Sequence, residues 1–414
     1  MDPLKNTLNP NLIPTLSAIK TPIYILERAK LEKNLKILDN VQQSTGAKIL
    51  LALKGFAFWR SFDLVHQYLS GSCASGVHEA RLGLEEIGSR ESNKHVCVFS
   101  PAFKEDEITE LLPLATHIIF NSPAQFCTHF PAIQKQNAKL QSLGMDEIEI
   151  GLRLNPLFSE VSPEIYNPCA PNSRLGIIPD IFHKMAQENS ELFNQISGLH
   201  FHTHCEQDSS ALVKTLEVIE EHFGRYFKHL KWINFGGGHH ITKEGYNIDL
   251  LKRLINEFRA KYNGIDVFLE PGEAVGWQSG FLLSEVVDIV QNGAKIAILD
   301  ISITAHMPDC LEMPYSPEAV LIKNGAMYLQ TLEQKNPYIL GGTSCLAGDF
   351  LGSYDFGIEI STGDKIAFLD LMHYSIVKNT TFNGIKLPSF GQINEDGSFK
   401  LLKEFGYADY KARN

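Results

Sequence analysis

Four chemically capable groups follow four short apolar stretches in this chain, in a fixed order. Lys54 ends Leu51-Ala52-Leu53-Lys54, and His202 ends Leu199-His200-Phe201-His202. Gly236, Gly237 and Gly238 follow Ile233-Asn234-Phe235, and Glu270 follows Phe268-Leu269 and precedes Pro271-Gly272. If each stretch is a strand of one barrel, all four groups emerge at the C-terminal rim, where such barrels keep their chemistry. An amine, a flat ring, a run of approachable backbone amides and an acid are together what a pyridoxal-phosphate site needs.

Each group has a separate rationale. Lys54 is followed by Gly55 at a strand end, so its ammonium is expected in a partly desolvated mouth that favours the neutral, nucleophilic amine. His200, His202 and His204 alternate, so they share one face for as long as the strand continues. Two readings of them stay open: a His-x-His strand end that chelates zinc in a barrel metallohydrolase, or a single imidazole, His202, lying flat on a cofactor ring. Gly237 and Gly238 are candidates for a phosphate-binding nest, and Glu270 for an acid that keeps a pyridine nitrogen protonated. A second set lies downstream, in Gly341 to Asp349, His373-Tyr374 and Phe382-Asn383-Gly384. There Cys345, flanked by Gly and Ser at a turn, is a candidate exposed proton donor.

These groups need a scaffold, and the hydrophobic pattern supplies one. Eight apolar or β-branched runs recur at 49–53, 71–74, 95–99, 117–120, 149–154, 196–202, 231–235 and 267–270, with helical patterns such as 76–88 and 209–223 between them. Strands alternating with helices imply a parallel sheet, and eight imply closure, so the fold class is α/β with a (β/α)8 TIM-like barrel. After Gly276 the texture becomes β-rich with little helix. The expected organisation is a barrel over 36–275 and a β-rich second domain formed by 1–35 and 276–414, with 22–26 as a strand.

Composition narrows the class. With 414 residues and 44% hydrophobic content the chain can bury a large core. No segment reaches the roughly 18 uninterrupted apolar residues of a membrane span, and the N-terminus lacks a basic-then-apolar leader, so a cytoplasmic location is expected. Seven scattered cysteines without a Cys-x-x-Cys pair imply reduced thiols and no structural metal site. A formal charge of −11 argues against nucleic-acid or anionic-membrane partners and favours a cationic substrate.

Taken together, these motifs resemble the fold-type III pyridoxal-phosphate decarboxylases, the family of ornithine, arginine and diaminopimelate decarboxylases related to alanine racemase. The resemblance runs from about Thr21 to about Gly391. It implies an alanine racemase-like barrel with a β-domain, assembled as a homodimer with shared active sites. It implies that Lys54 forms the Schiff base, His202 stacks on the ring, Gly237 and Gly238 bind phosphate, Glu270 pairs with the pyridine nitrogen, Tyr374 contacts the phosphate, and Cys345 protonates the decarboxylated carbon in the partner's site. Two departures narrow the branch. Glu273 stands where Glu-Pro-Gly is usually followed by arginine, and Leu346 stands where diaminopimelate decarboxylases place a glutamate. With His306 to Cys310, these features look like the carboxynorspermidine decarboxylase branch, which removes a carboxylate from a carboxylated polyamine to give norspermidine or spermidine. Glu273 and Asp309 are then expected to pair with substrate ammonium groups. The alternatives are a diaminopimelate or other basic amino acid decarboxylase, the metal-dependent hydrolase, and a pyridoxal-phosphate carrier that would need only the barrel.

Overall fold

A computed structural model describes residues 8–414, so residues 1–7 of the expected 1–35 segment lie outside the described residues. The chain divides into two compact units, one over Asn34–Val275 and the other over 8–33 with Gly276–Asn414.

Strand β1 (Ile23–Glu27) precedes the eight strands of the first unit: β2 (Lys48–Ala52), β3 (Gly71–Ala74), β4 (His95–Phe99), β5 (His117–Phe120), β6 (Glu149–Leu154), β7 (Gly198–Phe201), β8 (Trp232–Asn234) and β9 (Asp266–Leu269). All eight pair in parallel in chain order, and β9 closes on β2, giving the (β/α)8 barrel that the spacing implies. Strands covered on both faces read as unbroken apolar runs, which is why His117 to Phe120 is buried throughout. The connecting helices bury one stripe each; in Ser209–Phe223 it is Leu212, Leu216, Ile219 and Phe223.

The barrel interior is filled unevenly. Trp232 at the start of β8 lies over positions without side chains: a Cβ at Gly198 would fall 2.0 Å from its ring, and one at Gly151 2.4 Å away. His117 and Phe268 meet the same indole edge-on at 5.4 and 6.0 Å. One large ring thus occupies the volume three strands would otherwise share.

The second unit carries β10 (Gly280–Asn292), β11 (Ala294–Leu299), β12 (Ala319–Lys323), β13 (Ala326–Leu329), β14 (Tyr338–Gly341), β15 (Phe350–Tyr354), β16 (Lys365–Leu369), β17 (Ser389–Ile393) and β18 (Phe399–Lys403). Its sheet runs β13-β12-β16-β10-β1-β17-β18, with β11, β14 and β15 branching from β10. Pairing is antiparallel except for β1 with β17 and β11 with β14. Leu12, Leu16, Ile23, Ile25, Phe281 and Leu283 belong to its core. Thus β1, over 100 residues before β10 in sequence, takes a central position in this sheet. Among the described residues no helix is long and apolar enough to cross a membrane, and none of the seven cysteines is joined in a disulfide.

Neutral histidines are buried in both units. Burial lowers His239 of the barrel and His306 of the sheet unit to about 4. Between about pH 6.5 and 4 the unfolded chain therefore binds protons that the folded chain refuses, so stability is full above that window and falls as the pH drops through it. Urea unfolding at pH 7 and pH 5 should show a loss of about 2 kcal/mol for each such imidazole.

Candidate active site

The C-terminal ends of β2, β7, β8 and β9 bring four of the expected residues to one rim. Lys54 lies in the tight turn after β2, where Gly55 and Phe56 donate to Ala52 O at 3.0 and 3.2 Å. That turn is pressed against the loop after β9. Ala52 N–H donates to Pro271 O at 3.1 Å, and a Cβ at Gly55 would lie 3.0 Å from Gly272 Cα. Lys54 itself is exposed, so the expected partial desolvation of its ammonium is not met; a side chain at the tip of a turn projects beyond the strand ends that would cover it.

Glu270 is 7% exposed and directed inward. Asn234 Nδ2 donates to its Oε1 at 2.7 Å, and His200 Nε2 stands 3.3 Å from its Oε2. Burial alone would push the carboxyl up, but His200, Asn234 and the Lys54 charge together hold it below its usual range. The thiols of Cys73 and Cys97 nearby are pushed well up by burial and by the Glu270 charge. They present neutral walls to the carboxylate.

Strand β7 ends at Phe201, so the alternating histidines part company. His200 stays in the strand beside Glu270. His202 Nδ1 accepts the Gly237 N–H at 3.0 Å, and burial, reinforced by Lys54, lowers its pKa well below the usual value. The ring is therefore a neutral tautomer with its proton on Nε2. His204 meets Thr215 Oγ1 at 3.0 Å and His239 Nδ1 at 3.4 Å. The three imidazoles thus have three different settings, and among the described residues no group of three or more His, Cys, Asp and Glu side chains is arranged to hold a metal ion.

The glycine turn is built so that side chains cannot enter. Gly236 and Gly238 have φ of 70° and 81°, and a Cβ at Gly237 would lie 2.4 Å from Glu270 O. Asn234 is the hinge of the arrangement: its Oδ1 accepts Gly236 N–H at 2.8 Å while its Nδ2 holds Glu270. Sequence reasoning missed Asn234, although a polar residue two places before the glycine run was visible. It also missed Arg153, a charge set inside the apolar run Gly151-Leu152-Arg153-Leu154. That residue is 6% exposed, and burial lowers its pKa to about 10 against the opposing pull of Glu270, leaving it cationic at neutral pH. Glu273 opens the short helix Glu273–Gly276 directly after the Glu270 loop and is half-buried.

The other expected residues belong to the sheet unit. Cys345 is exposed in the loop between β14 and β15, and its N–H donates to Asn383 Oδ1 at 2.8 Å. Asp349 anchors that loop by accepting from Ser302 Oγ at 3.1 Å, Thr304 N–H at 2.8 Å and Ser344 N–H at 3.1 Å. Tyr374 sits at φ 43° beside His373. Asp309 departs from expectation. Its carboxylate is buried and already holds Lys378 Nζ at 2.6 Å, with Glu312 on the same ammonium at 2.6 Å, so it is not an open receptor for a substrate amine.

An amine, a neutral imidazole, a side-chain-free turn and an ionised buried acid at the mouth of a closed parallel barrel, with a separate β-sheet unit in the same chain, define a barrel enzyme equipped for a cofactor. The family model described as "Pyridoxal-dependent decarboxylase, C-terminal sheet domain" matches residues 23–371. The chain belongs to the pyridoxal-dependent decarboxylases. It is 46% identical to a carboxynorspermidine/carboxyspermidine decarboxylase of Campylobacter jejuni, over 96% of this chain and 99% of that one. It is 42% identical to a carboxyaminopropylagmatine decarboxylase of Synechocystis, covering 97% of each. A crystal structure of the Campylobacter jejuni carboxynorspermidine decarboxylase complexed with norspermidine superposes with a TM-score of 0.82 at 45% identity, over 96% of this chain and 100% of the other.

Because Asn234 both holds Glu270 ionised and fixes the glycine turn, Asn234→Ala should lower decarboxylase kcat/KM about tenfold or more. The same change should move the acid limb of the pH–rate profile upward, since the carboxylate loses a hydrogen bond that favours its charged form.

Proposed function

We propose that the protein is a pyridoxal-phosphate enzyme that decarboxylates carboxynorspermidine and carboxyspermidine to norspermidine and spermidine. The observation that carries this reading is near full-length similarity to enzymes acting on carboxylated polyamines, joined to a glutamate at position 273 beside the Lys54 turn. Several features of the barrel rim suit the cofactor. The glycine turn leaves room for a phosphate against the backbone, and Glu270 is an ionised acid able to face a pyridine nitrogen. His202, neutral and fixed by Gly237, offers a flat ring. Since that bond engages Gly237 N–H, the part we assign to Gly237 in phosphate binding is the space its missing side chain leaves, and the donating amide is that of Gly238.

Pyridoxal phosphate, when bound, supplies the electron sink that takes up the pair left as carbon dioxide departs. The chain does the rest. Lys54 would supply the amine that holds the cofactor's aldehyde carbon. Its exposed position would leave it within reach of a substrate amine. Glu270 would face the ring nitrogen and favour its protonated form, and His202 would pack against the ring. Cys345 Sγ–H delivers a proton to Cα of the substrate in a second copy of the chain, and Tyr374 contributes to the phosphate site. Glu273 receives a distal ammonium of the substrate; an amine reaching Asp309 would have to share that carboxylate with Lys378. Cysteines that form no disulfide suit a reducing cytoplasm.

Carbon-dioxide release should be fastest with carboxynorspermidine or carboxyspermidine, weaker with carboxyaminopropylagmatine, and least with meso-diaminopimelate; the reverse order would overturn the substrate assignment. Lys54→Ala should abolish turnover and the visible absorbance of bound cofactor. Glu273→Gln should raise KM for the carboxylated polyamines by about tenfold while leaving that for diaminopimelate unchanged. For the shared-site homodimer, Lys54→Ala and Cys345→Ala proteins, each inactive alone, should regain activity when mixed, and a mixture that stays inactive despite exchanging subunits would exclude it.

A further inference from the structure

The loop between β14 and β15 that carries Cys345 is largely exposed, yet its backbone is fully engaged. Five consecutive N–H groups each have a protein acceptor. Gly342 donates to Asp349 O at 2.8 Å, Thr343 to Ile301 O at 2.9 Å and Ser344 to Asp349 Oδ2 at 3.1 Å. Cys345 donates to Asn383 Oδ1 at 2.8 Å and Leu346 to Ser344 Oγ at 3.3 Å. Of these acceptors, the one on Cys345 is a side chain from a separate turn, 38 residues further along the chain. Water would satisfy an exposed N–H equally well. What a fixed side-chain oxygen adds is direction.

Asn383 is itself held for this task. It stands at φ 57° and ψ 14°, a left-handed conformation that glycine, asparagine and aspartate adopt most readily. Its turn is pinned to the rest of the sheet unit. Thr380 N–H donates to Ala305 O at 2.9 Å, Gly384 N–H closes the turn on Thr381 O at 3.0 Å, and Arg413 donates to Thr381 Oγ1 at 3.1 Å. Ala305 lies in the short helix Ile303–His306, whose Thr304 N–H is held by Asp349 Oδ1 at 2.8 Å. Asp349 and Asn383 therefore grip adjacent amides, those of Ser344 and Cys345, from one common support. With both amides fixed, the Cα–Cβ bond of Cys345 has a set direction, and the thiol keeps only its χ1 rotation.

We infer that Asn383 is a positioning residue for the Cys345 thiol, its side-chain oxygen fixing the place from which the proton is released. This rests on the reading of Cys345 as the group that delivers a proton to the substrate Cα. Asn383 acts through the main chain of Cys345 and itself handles no proton. A donor held in one place reaches Cα from one face, whereas a donor free to move yields the step to solvent, which reaches either face.

Two variants separate the hydrogen bond from the backbone conformation: Asn383→Gly keeps the left-handed turn and removes the acceptor, and Asn383→Asp keeps both. In the full-length protein, hydrogen–deuterium exchange at the Cys345 amide should quicken about tenfold in Asn383→Gly and stay near the wild-type rate in Asn383→Asp. The Ser344 amide, held by Asp349, is the internal control. With carboxynorspermidine as substrate, Asn383→Gly should lose about tenfold in kcat with KM within about twofold, and Asn383→Asp should keep most of the wild-type kcat. Decarboxylation in heavy water should place deuterium on Cα with a single handedness in the wild-type and Asn383→Asp proteins, and with mixed handedness in Asn383→Gly. Unchanged exchange at the Cys345 amide of Asn383→Gly, or full kcat or single-handed product from that variant, would overturn the inference and leave the role of Cys345 intact. Mixed-handed product from the wild-type protein itself would remove that role and the inference with it.

Discussion

A carboxylate with less than a tenth of its surface exposed keeps its charge only if its surroundings compensate for lost water. Glu270 meets that condition through Asn234, His200 and the field of Lys54, and the rest of the rim is arranged around it. Asn234 ties the carboxylate to the glycine turn, Gly237 ties the turn to His202, and the backbone of the Glu270 loop packs against the Lys54 turn. The four groups at the rim are thereby one connected hydrogen-bonded and packed unit rather than four independent side chains. A displacement of any one is transmitted to the others through contacts of about 3 Å.

The imidazoles show the same economy of charge. Burial keeps His200, His202 and His204 toward the neutral form. Neutral rings can stack, accept and donate without adding to the local field. Lys54 and Arg153 are positive charges that act on this cluster, and Glu270 offsets them.

Much of this was legible in the order of residues. The eight strands appear at the positions the apolar runs indicate, and Lys54, His202, Gly237, Gly238 and Glu270 meet at one rim because parallel strands in chain order share a direction. Three matters were not legible. The end of β7 at Phe201 separates the histidines, and period-two alternation cannot show where a strand stops. The state of Asp309 depends on Lys378, a partner nearly seventy residues away and brought close only by folding. The importance of Asn234 and Arg153 lies in what surrounds them, which neither residue type nor spacing encodes.

The indole of Trp232 has a consequence for how the sequence can drift. Because it fills space left vacant at positions 151 and 198, the three sites draw on a single shared volume. A relative with a smaller residue at 232 should carry a side chain at one of the two glycine sites, and substitutions there should be tolerated in compensating sets rather than singly. The closed end of the barrel can therefore vary its residues while conserving its total bulk, leaving the reactive rim in place.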